Sequence, residues 1–269
     1  MKLYRPEDPL DLTANGVQDY LLNVLTELVE IDFSARERSM QDKMMFGRLL
    51  DERTRPFFFY HFTPLLQKAV EVFFSQKEDP LIVELGCGSG SASILFGLLG
   101  AKVVGIDQDA NLINACRKRQ AFYEKLFGAL DIRFHAADVF NFDYEDLAPL
   151  DGIYSLFALH LMQPSRGLLS SVIPTLGPGG KLVVSDGNPS AIFNALFRRG
   201  AALKPREMAD QLCALGCKVI SLKYDCIIPP RLVKSKQLFP LALKGEKALH
   251  TMGLMRWLGV SYTVIAEKT

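Results

Sequence analysis

Leu81-Ile82-Val83-Glu84-Leu85-Gly86-Cys87-Gly88-Ser89-Gly90 is a short apolar run that stops in a glycine turn, and a helical pattern follows it to Leu99. Glycines where a strand turns into a helix allow a tight bend and let a ligand approach the backbone. The helix start behind the turn presents N–H groups that favour a carboxylate or phosphate. Such a turn also fits a dinucleotide fold, but position 91 is Ser, and Gly90 comes one residue too early for a Gly-x-Gly-x-x-Gly signature. Glu84, just ahead of the turn, suits a ligand bearing an ammonium group better than a pyrophosphate.

The same grammar continues downstream. Lys102–Asp107 reads as a second strand, about 110–126 as a helix, Asp131–His135 as a third strand and Gly152–Leu159 as a fourth. Pro164 opens a helix to Leu176, and Gly177-Pro178-Gly179-Gly180 is a tight turn into a fifth strand, Lys181–Asp186. Alternating strands and helices imply a parallel sheet covered on both faces. Right-handed crossovers then bring the carboxyl ends of the strands to one edge, where ligands bind. Further on the pattern predicts helices near Pro189–Arg199 and Pro205–Leu215, a strand at Lys218–Tyr224, a helix near Glu246–Leu258 and a last strand at Ser261–Glu267.

The first 79 residues read as helical: an amphipathic stretch from Val17 to Ile31, a second helix capped near Ser34 and running to Leu50, and a third opened by Thr63-Pro64 and ending near Phe74. The aromatic run Phe57-Phe58-Phe59-Tyr60-His61-Phe62 precedes the third. Nothing resembles a flexible linker, so residues 1–79 are expected to pack as a lid on a core formed by 80–269. Residues 225–259 are expected to form an insertion near the substrate pocket.

The composition narrows the function. Of 269 residues, 49% are hydrophobic and 23% charged, which excludes a disordered chain. With 31 basic against 30 acidic residues, the overall balance carries no footprint for duplex nucleic acid or an anionic membrane. No apolar run reaches transmembrane length. The start has no apolar leader, and the five cysteines are an odd number, so a reducing, cytoplasmic setting is expected. Cys213 and Cys217 have helical spacing, but Gly216 interrupts them and no second pair follows, so no metal site is expected.

Asp107 ends the second strand, where a carboxylate can accept from both hydroxyls of a ribose or cap the next helix. Asp138, after the third strand, fits an exocyclic amine of adenine or a turn cap equally. Glu84–Gly90, Asp107, Asp138, Asp151–His160 and Leu176–Leu182, in that order, resemble the motifs of the class I S-adenosylmethionine-dependent methyltransferases. The resemblance covers about residues 80–222, with Ser261–Glu267 similar to the family's final antiparallel strand. It implies a Rossmann-like, doubly wound α/β fold with a seven-stranded, mostly parallel sheet of order 3-2-1-4-5-7-6. It further implies S-adenosylmethionine as cofactor. Glu84, Gly86 and Gly88 would hold the methionine part, with Cys87 a small residue that fits the turn. Asp107 would take the ribose, Gln108 would lie beside the adenine, Asp138 and Val139 would contact its amine and ring, and Phe157 would line the way to the methyl group.

Methyl transfer from a sulfonium needs alignment first and a base only where the acceptor arrives protonated. His160, just beyond the fourth strand, is the leading base candidate, and its apolar neighbours fit a packed histidine as well. Tyr60 and His61 follow, from an aromatic run that can close over the cofactor or simply fill the core. The Ile-, Leu- and Pro-rich stretch from Cys226 to Leu243 points to an apolar or aromatic acceptor, or to ordinary packing. The reading is therefore a methyltransferase acting at O, N or C of a small metabolite or natural product. The alternatives are a protein-methylating enzyme, a non-catalytic partner subunit of the same fold, and a nicotinamide-dependent oxidoreductase, against which Ser91 and Glu84 count. The fourth strand lacks the Asn/Asp-Pro-Pro-Tyr/Phe sequence used on nucleobase amines, which speaks against a nucleic-acid substrate.

Overall fold

Val83, Leu85, Val103, Val104 and Ile106 are all buried, on both faces of their strands. Strands of this kind must be covered on each side. The computed structural model describes residues 14–269 apart from 45, 53, 193–202 and 226–237. Its sheet contains β1 (Leu81–Leu85), β2 (Lys102–Asp107), β3 (Ile132–Ala136), β4 (Leu150–Leu156), β5 (Leu176–Gly187), β6 (Cys217–Asp225) and β7 (Ser261–Lys268). The strand order is β3-β2-β1-β4-β5-β7-β6. Strands β1 to β5 pair in parallel, and β7 runs antiparallel between β5 and β6. The expected seven-stranded Rossmann-like sheet is the one observed.

In chain order the helices are α1 (Ala14–Leu22), α2 (Val24–Glu30), α3 (Ala35–Met44), α4 (Phe46–Leu50), α5 (Arg55–Phe73), α6 (Ser91–Leu98), α7 (Ala110–Phe127), α8 (Ser165–Val172), α9 (Pro205–Ala214), α10 (Leu238–Thr251) and α11 (Met255–Leu258). One apolar layer joins α1, α5, α6 and α7 to the sheet through Tyr20, Phe58, Phe73, Phe96, Tyr123 and Tyr154. The opposite layer joins α8 and α9 to it through Leu168, Leu169, Met208, Leu212 and Tyr262. Burial of this apolar area on both faces is the main driving force for the fold.

Several boundaries differ from expectation. The stretch from Val17 to Ile31 is two helices, broken at Asn23, whose N–H donates to the Tyr20 carbonyl at 3.0 Å. Helix α5 begins at Arg55, so the aromatic run lies within it, and Pro64 sits inside the helix instead of opening one. Pro56 takes the first-turn position that a proline favours. The segment Gly177–Gly180 is not a tight turn but the start of the long strand β5, whose register with β4 shifts between Leu150 and Gly152. Strand β4 stops at Leu156, three residues before the expected end, because the chain turns sharply at Phe157. Cys213 lies on α9 and Cys217 on β6, so they share no helix face. The expected helix near Pro189–Arg199 and the irregular stretch from Cys226 fall largely outside the described residues.

The amino-terminal helices are joined to the sheet by polar contacts as well as apolar ones. Ser34 and Glu37 exchange the two hydrogen bonds of a capping box at the start of α3, at 2.7 and 3.3 Å. The buried Glu27 carboxylate on α2 receives two N–H groups of Arg119 on α7, at 2.6 and 3.0 Å, and the Tyr123 hydroxyl at 2.7 Å. Arg119 also donates to the Ser89 carbonyl and to the Ser91 hydroxyl, at the glycine turn itself. The Tyr20 hydroxyl reaches the Ser91 carbonyl at 2.6 Å. Burial is the largest single influence and pulls the Arg119 pKa down, but Glu27, together with Tyr20 and Tyr123, outweighs it, so the net shift is upward.

Replacing Arg119 with Ala strips the buried Glu27 of its cation, which costs about 3–5 kcal/mol. Thermal melts should show a lower Tm for Arg119→Ala. The double variant E27M/R119M, which removes both charges, should recover much of the loss.

Candidate functional site

The turn after β1 is stapled to β2. The N–H groups of Gly86 and Cys87 both donate to the Ile106 carbonyl, at 2.8 and 3.0 Å. Gly86 has φ +70°, a backbone state that side chains rarely adopt, and a Cβ there would lie 2.5 Å from Ala158 and 2.6 Å from Met162. Only glycine lets the segment after β4 close this tightly on the turn. Cys87 is buried, and burial pushes its thiol pKa up, as expected of a packed residue and not of a nucleophile.

Asp107 ends β2 with its carboxylate fixed by two backbone donors: Gly88 N–H to Oδ2 at 2.9 Å and Asp109 N–H to Oδ1 at 3.0 Å. A carboxylate offers about four lone-pair positions, so roughly two remain for a vicinal diol. Asp109, not Asp107, caps α7, by accepting from Asn111 N–H at 2.8 Å. The cap that competed with the ribose reading thus belongs to its neighbour. Gln108 is exposed beside it. Asp138 is exposed at the next turn and accepts from Phe140 N–H at 3.0 Å and the Asn141 amide at 3.1 Å, so it does act as a turn cap, while Val139 is buried against the sheet.

Glu84 is buried beneath the turn and accepts the Ser93 hydroxyl of α6. Burial, the largest cause, pushes its carboxyl pKa up to about 8; the Ser93 hydrogen bond opposes the shift and the nearby Asp107 charge adds to it. A buried acid of this kind is suited to a cationic group, which would favour its charged form.

Phe157 follows β4 with φ +52°, the sole positive-φ non-glycine among the described residues. Such a conformation costs about 1–3 kcal/mol and tends to persist at functional sites. Here it is held by the Phe157 N–H donating to the Ser185 carbonyl at 2.7 Å. The Phe157 ring meets His61 at 5.4 Å and Phe62 at 5.5 Å, so α5 reaches the carboxyl edge of the sheet. Tyr60 is directed elsewhere: its hydroxyl donates to Glu246 of α10 at 2.6 Å.

His160 lies in a single turn of 3-10 helix, Leu159–Leu161, next to the Ala158 and Met162 side chains that close on Gly86. Its Nδ1 is 2.7 Å from Oδ1 of Asp186, a carboxylate only 1% exposed at the end of β5. The same oxygen accepts the Gly187 N–H at 2.7 Å. The hydrogen bond to Asp186 holds the imidazole pKa above its ordinary value, against the pull of partial burial. With Nδ1 engaged, Nε2 is the position at which this ring can take up a proton. Residue-by-residue reading passed over Asp186 and Ser93. Asp186 carried a usable signal, since it ends a strand on the ligand edge; Ser93 carried none, because its partner is set by the angle of α6. Among the described residues, no group of His, Cys, Asp and Glu is arranged to hold a metal ion.

Residues 83–184 match a family described as a methyltransferase domain. An O-methyltransferase of Pyrenophora dematioidea is 28% identical over 149 residues, covering 52% of this chain and 54% of the relative. An O-methyltransferase of Aspergillus nomiae is 28% identical over 168 residues, covering 59% of this chain and 73% of that protein. The chain therefore spans about half the length of the first and nearly three-quarters of the second. Magnesium protoporphyrin IX methyltransferase from Synechocystis, solved with bound S-adenosylmethionine, superposes with a TM-score of 0.56 over 86% of this chain and 95% of its own. At 15% identity, that likeness shows the fold.

The raised Glu84 pKa has a consequence for stability. Between the ordinary value of 4.5 and about 8, the folded protein keeps a proton that the unfolded chain has lost. The unfolded state then binds fewer protons, so stability of the ligand-free protein should fall as pH rises through that window. Melting curves across it should show the decline, and Glu84→Gln should flatten it.

Proposed function

The chain belongs to the class I S-adenosylmethionine-dependent methyltransferase superfamily, and from that premise we propose that it methylates an oxygen of a small, largely apolar metabolite or natural product. Its cofactor is S-adenosylmethionine. The observation that carries the reading is the meeting, at one edge of the sheet, of the glycine turn, the Asp107 carboxylate and the His160–Asp186 pair. When bound, the cofactor supplies an electrophilic methyl group on a sulfonium with a neutral thioether as leaving group.

The chain's own residues then have distinct tasks. Glu84, Gly86, Cys87 and Gly88 hold the methionine end, with the Glu84 carboxyl answering its ammonium group. Asp107 takes the ribose hydroxyls with the lone pairs that Gly88 and Asp109 leave open. Gln108, Asp138 and Val139 border the adenine. Phe157, with His61 and Phe62, walls the acceptor side and excludes water. The amino-terminal helices cover the cofactor, held there by Glu27 and Arg119. His160 removes the proton of an acceptor hydroxyl at Nε2 while Asp186 orients the ring and stabilises its cationic form. A base of this kind matters for an oxygen acceptor, which arrives protonated, and agrees with the O-methyltransferases among the relatives. Tyr60, committed to Glu246, positions α10 and does not act on the acceptor.

Incubation with S-adenosylmethionine and fractionated metabolite extracts should yield S-adenosylhomocysteine in fractions holding phenolic or other hydroxylated small molecules. A folded protein that binds cofactor but yields none in any fraction would support a silent partner subunit instead. Asp107→Ala should weaken cofactor binding by about 1–3 kcal/mol, measured by calorimetry, through loss of charge-assisted hydrogen bonds.

The pH profile tests the base. His160 works in its neutral form, so kcat should fall with acid through a pKa that Asp186 holds above the ordinary histidine value. Asp186→Asn should shift that limb to lower pH and reduce kcat. His160→Ala should remove the limb and cost about a hundredfold or more in rate, with cofactor affinity unchanged. A profile identical in all three proteins would mean that His160 only packs.

A further inference from the structure

The surface formed by α10 and α11 combines exposed apolar and cationic side chains. Between residues 241 and 260 the exposed large apolar side chains are Leu241, Met252, Leu254 and Trp257, with Lys244, Lys247 and Arg256 between them and His250 and Thr251 as the exposed polar ones. Leu241 and Met252 are 63% and 68% exposed and Trp257 is 53% exposed. The stretch has one acid, Glu246, and it is buried, accepting the Tyr60 hydroxyl. No carboxylate is exposed there, although the whole chain carries 30 acidic residues against 31 basic ones.

The arrangement is built, not incidental. At 100° per residue, Leu241, Lys244 and Ala248 fall on one side of α10, Lys247 flanks them, and Met252 follows just past the helix end. The opposite side packs on α5, where Ala242 and Leu243, together with Tyr60 and Val260, pack against Phe57. Helix α10 then ends in a Schellman motif: Leu254 N–H donates to the Leu249 carbonyl and Gly253 N–H to that of His250, both at 3.1 Å. Gly253 supplies the left-handed residue this motif needs, at φ +69°. The reversal brings Leu254 and Trp257 out beyond the helix end, and the Arg256 guanidinium lies 5.0 Å from the Trp257 ring centroid.

We propose that this face of residues 241–257 seats the protein on an anionic lipid surface. Charge complementarity selects that occupant. A surface on which Leu, Met and Trp are exposed among Lys and Arg, across two adjoining helices, suits a membrane interface, where the tryptophan sits at headgroup level. Each cation near an anionic leaflet adds to the attraction, and a single exposed carboxylate would subtract from it. No helix among the described residues is long and apolar enough to cross a membrane, so the contact is peripheral. Because α10 is anchored on α5, which also carries His61 and Phe62, docking would hold the acceptor side of the site close to the lipid. Docking on lipid does not require methyl transfer.

Trp257 is the chain's one tryptophan, so its emission reports from the middle of this face. The full chain is titrated with vesicles of phosphatidylcholine and phosphatidylglycerol, and separately with phosphatidylcholine alone, followed by fluorescence and sedimentation. The expected result is a blue shift and cosedimentation with the anionic vesicles, reversed by salt and weak or absent with phosphatidylcholine. K244E/K247E should weaken the partitioning by more than about tenfold. M252S/L254S, which keeps both the charges and the reporter, should weaken it too. Thermal melts establish that both variants are folded, and cofactor binding should be unchanged in them, which separates failure of docking from failure of the catalytic reading. Unshifted emission with anionic vesicles overturns the proposal. So does equal binding to both vesicle types, an emission shift produced by RNA but not by vesicles, or light scattering that shows a dimer whose dissociation alone moves the Trp257 emission.

Discussion

A guanidinium buried between an amino-terminal helix and the glycine turn fixes how those two parts of the molecule sit against each other. Arg119 has Glu27 on one side and the Ser89 carbonyl and Ser91 hydroxyl on the other. Three elements far apart in sequence, α2, α7 and the β1–α6 turn, therefore share one set of hydrogen bonds. A buried charge is tolerated only when its partners are all in place. The covering helices and the turn they cover are consequently set together: neither can shift without leaving Glu27 or Arg119 uncompensated.

The ligand edge follows from that constraint and from the sheet. Parallel strands bring Leu85, Asp107 and Phe157 to the same end of β1, β2 and β4, and β5 adds Asp186 there. At that edge backbone groups do most of the positioning. Ile106 fixes the turn, Gly88 and Asp109 orient the Asp107 carboxylate, and Ser185 holds Phe157 in a conformation few side chains adopt. Side chains then supply the titratable groups: a buried acid at Glu84, a part-exposed one at Asp107, and an imidazole paired with a carboxylate across β4 and β5.

The two acids beside the turn show how environment divides similar groups. Glu84 is enclosed, with one hydroxyl as its partner, and burial pushes its pKa to about 8. Asp107, one strand over, is less buried and meets two N–H groups. One is thus suited to a cationic group and the other to neutral hydroxyls, although both are strand-end carboxylates in the sequence.

Much of the fold was legible in the chain itself. Unbroken apolar runs, the glycine turn after Glu84 and the spacing of Asp107 and Asp138 are local features, and local features specify strands, turns and the edge where they converge. The misread boundaries share one cause. Pro64 looked like a helix start and Gly177–Gly180 like a turn, because propensity speaks for each residue alone, whereas packing of the aromatic run on the sheet and pairing of β5 with β4 and β7 decided otherwise. Of the base candidates, sequence ranked His160 by its place after β4 but could not supply Asp186, which stands 26 residues later. Likewise nothing in the order of residues marks Glu27 and Arg119, 92 positions apart, as a pair. The amino-acid order determined the sheet, the turn and the identity of the polar groups, because these depend on neighbours along the chain. Only the tertiary structure decided which of those groups are buried, which are paired and which face of α10 is left bare, because burial and charge pairing are set by residues that meet across the fold.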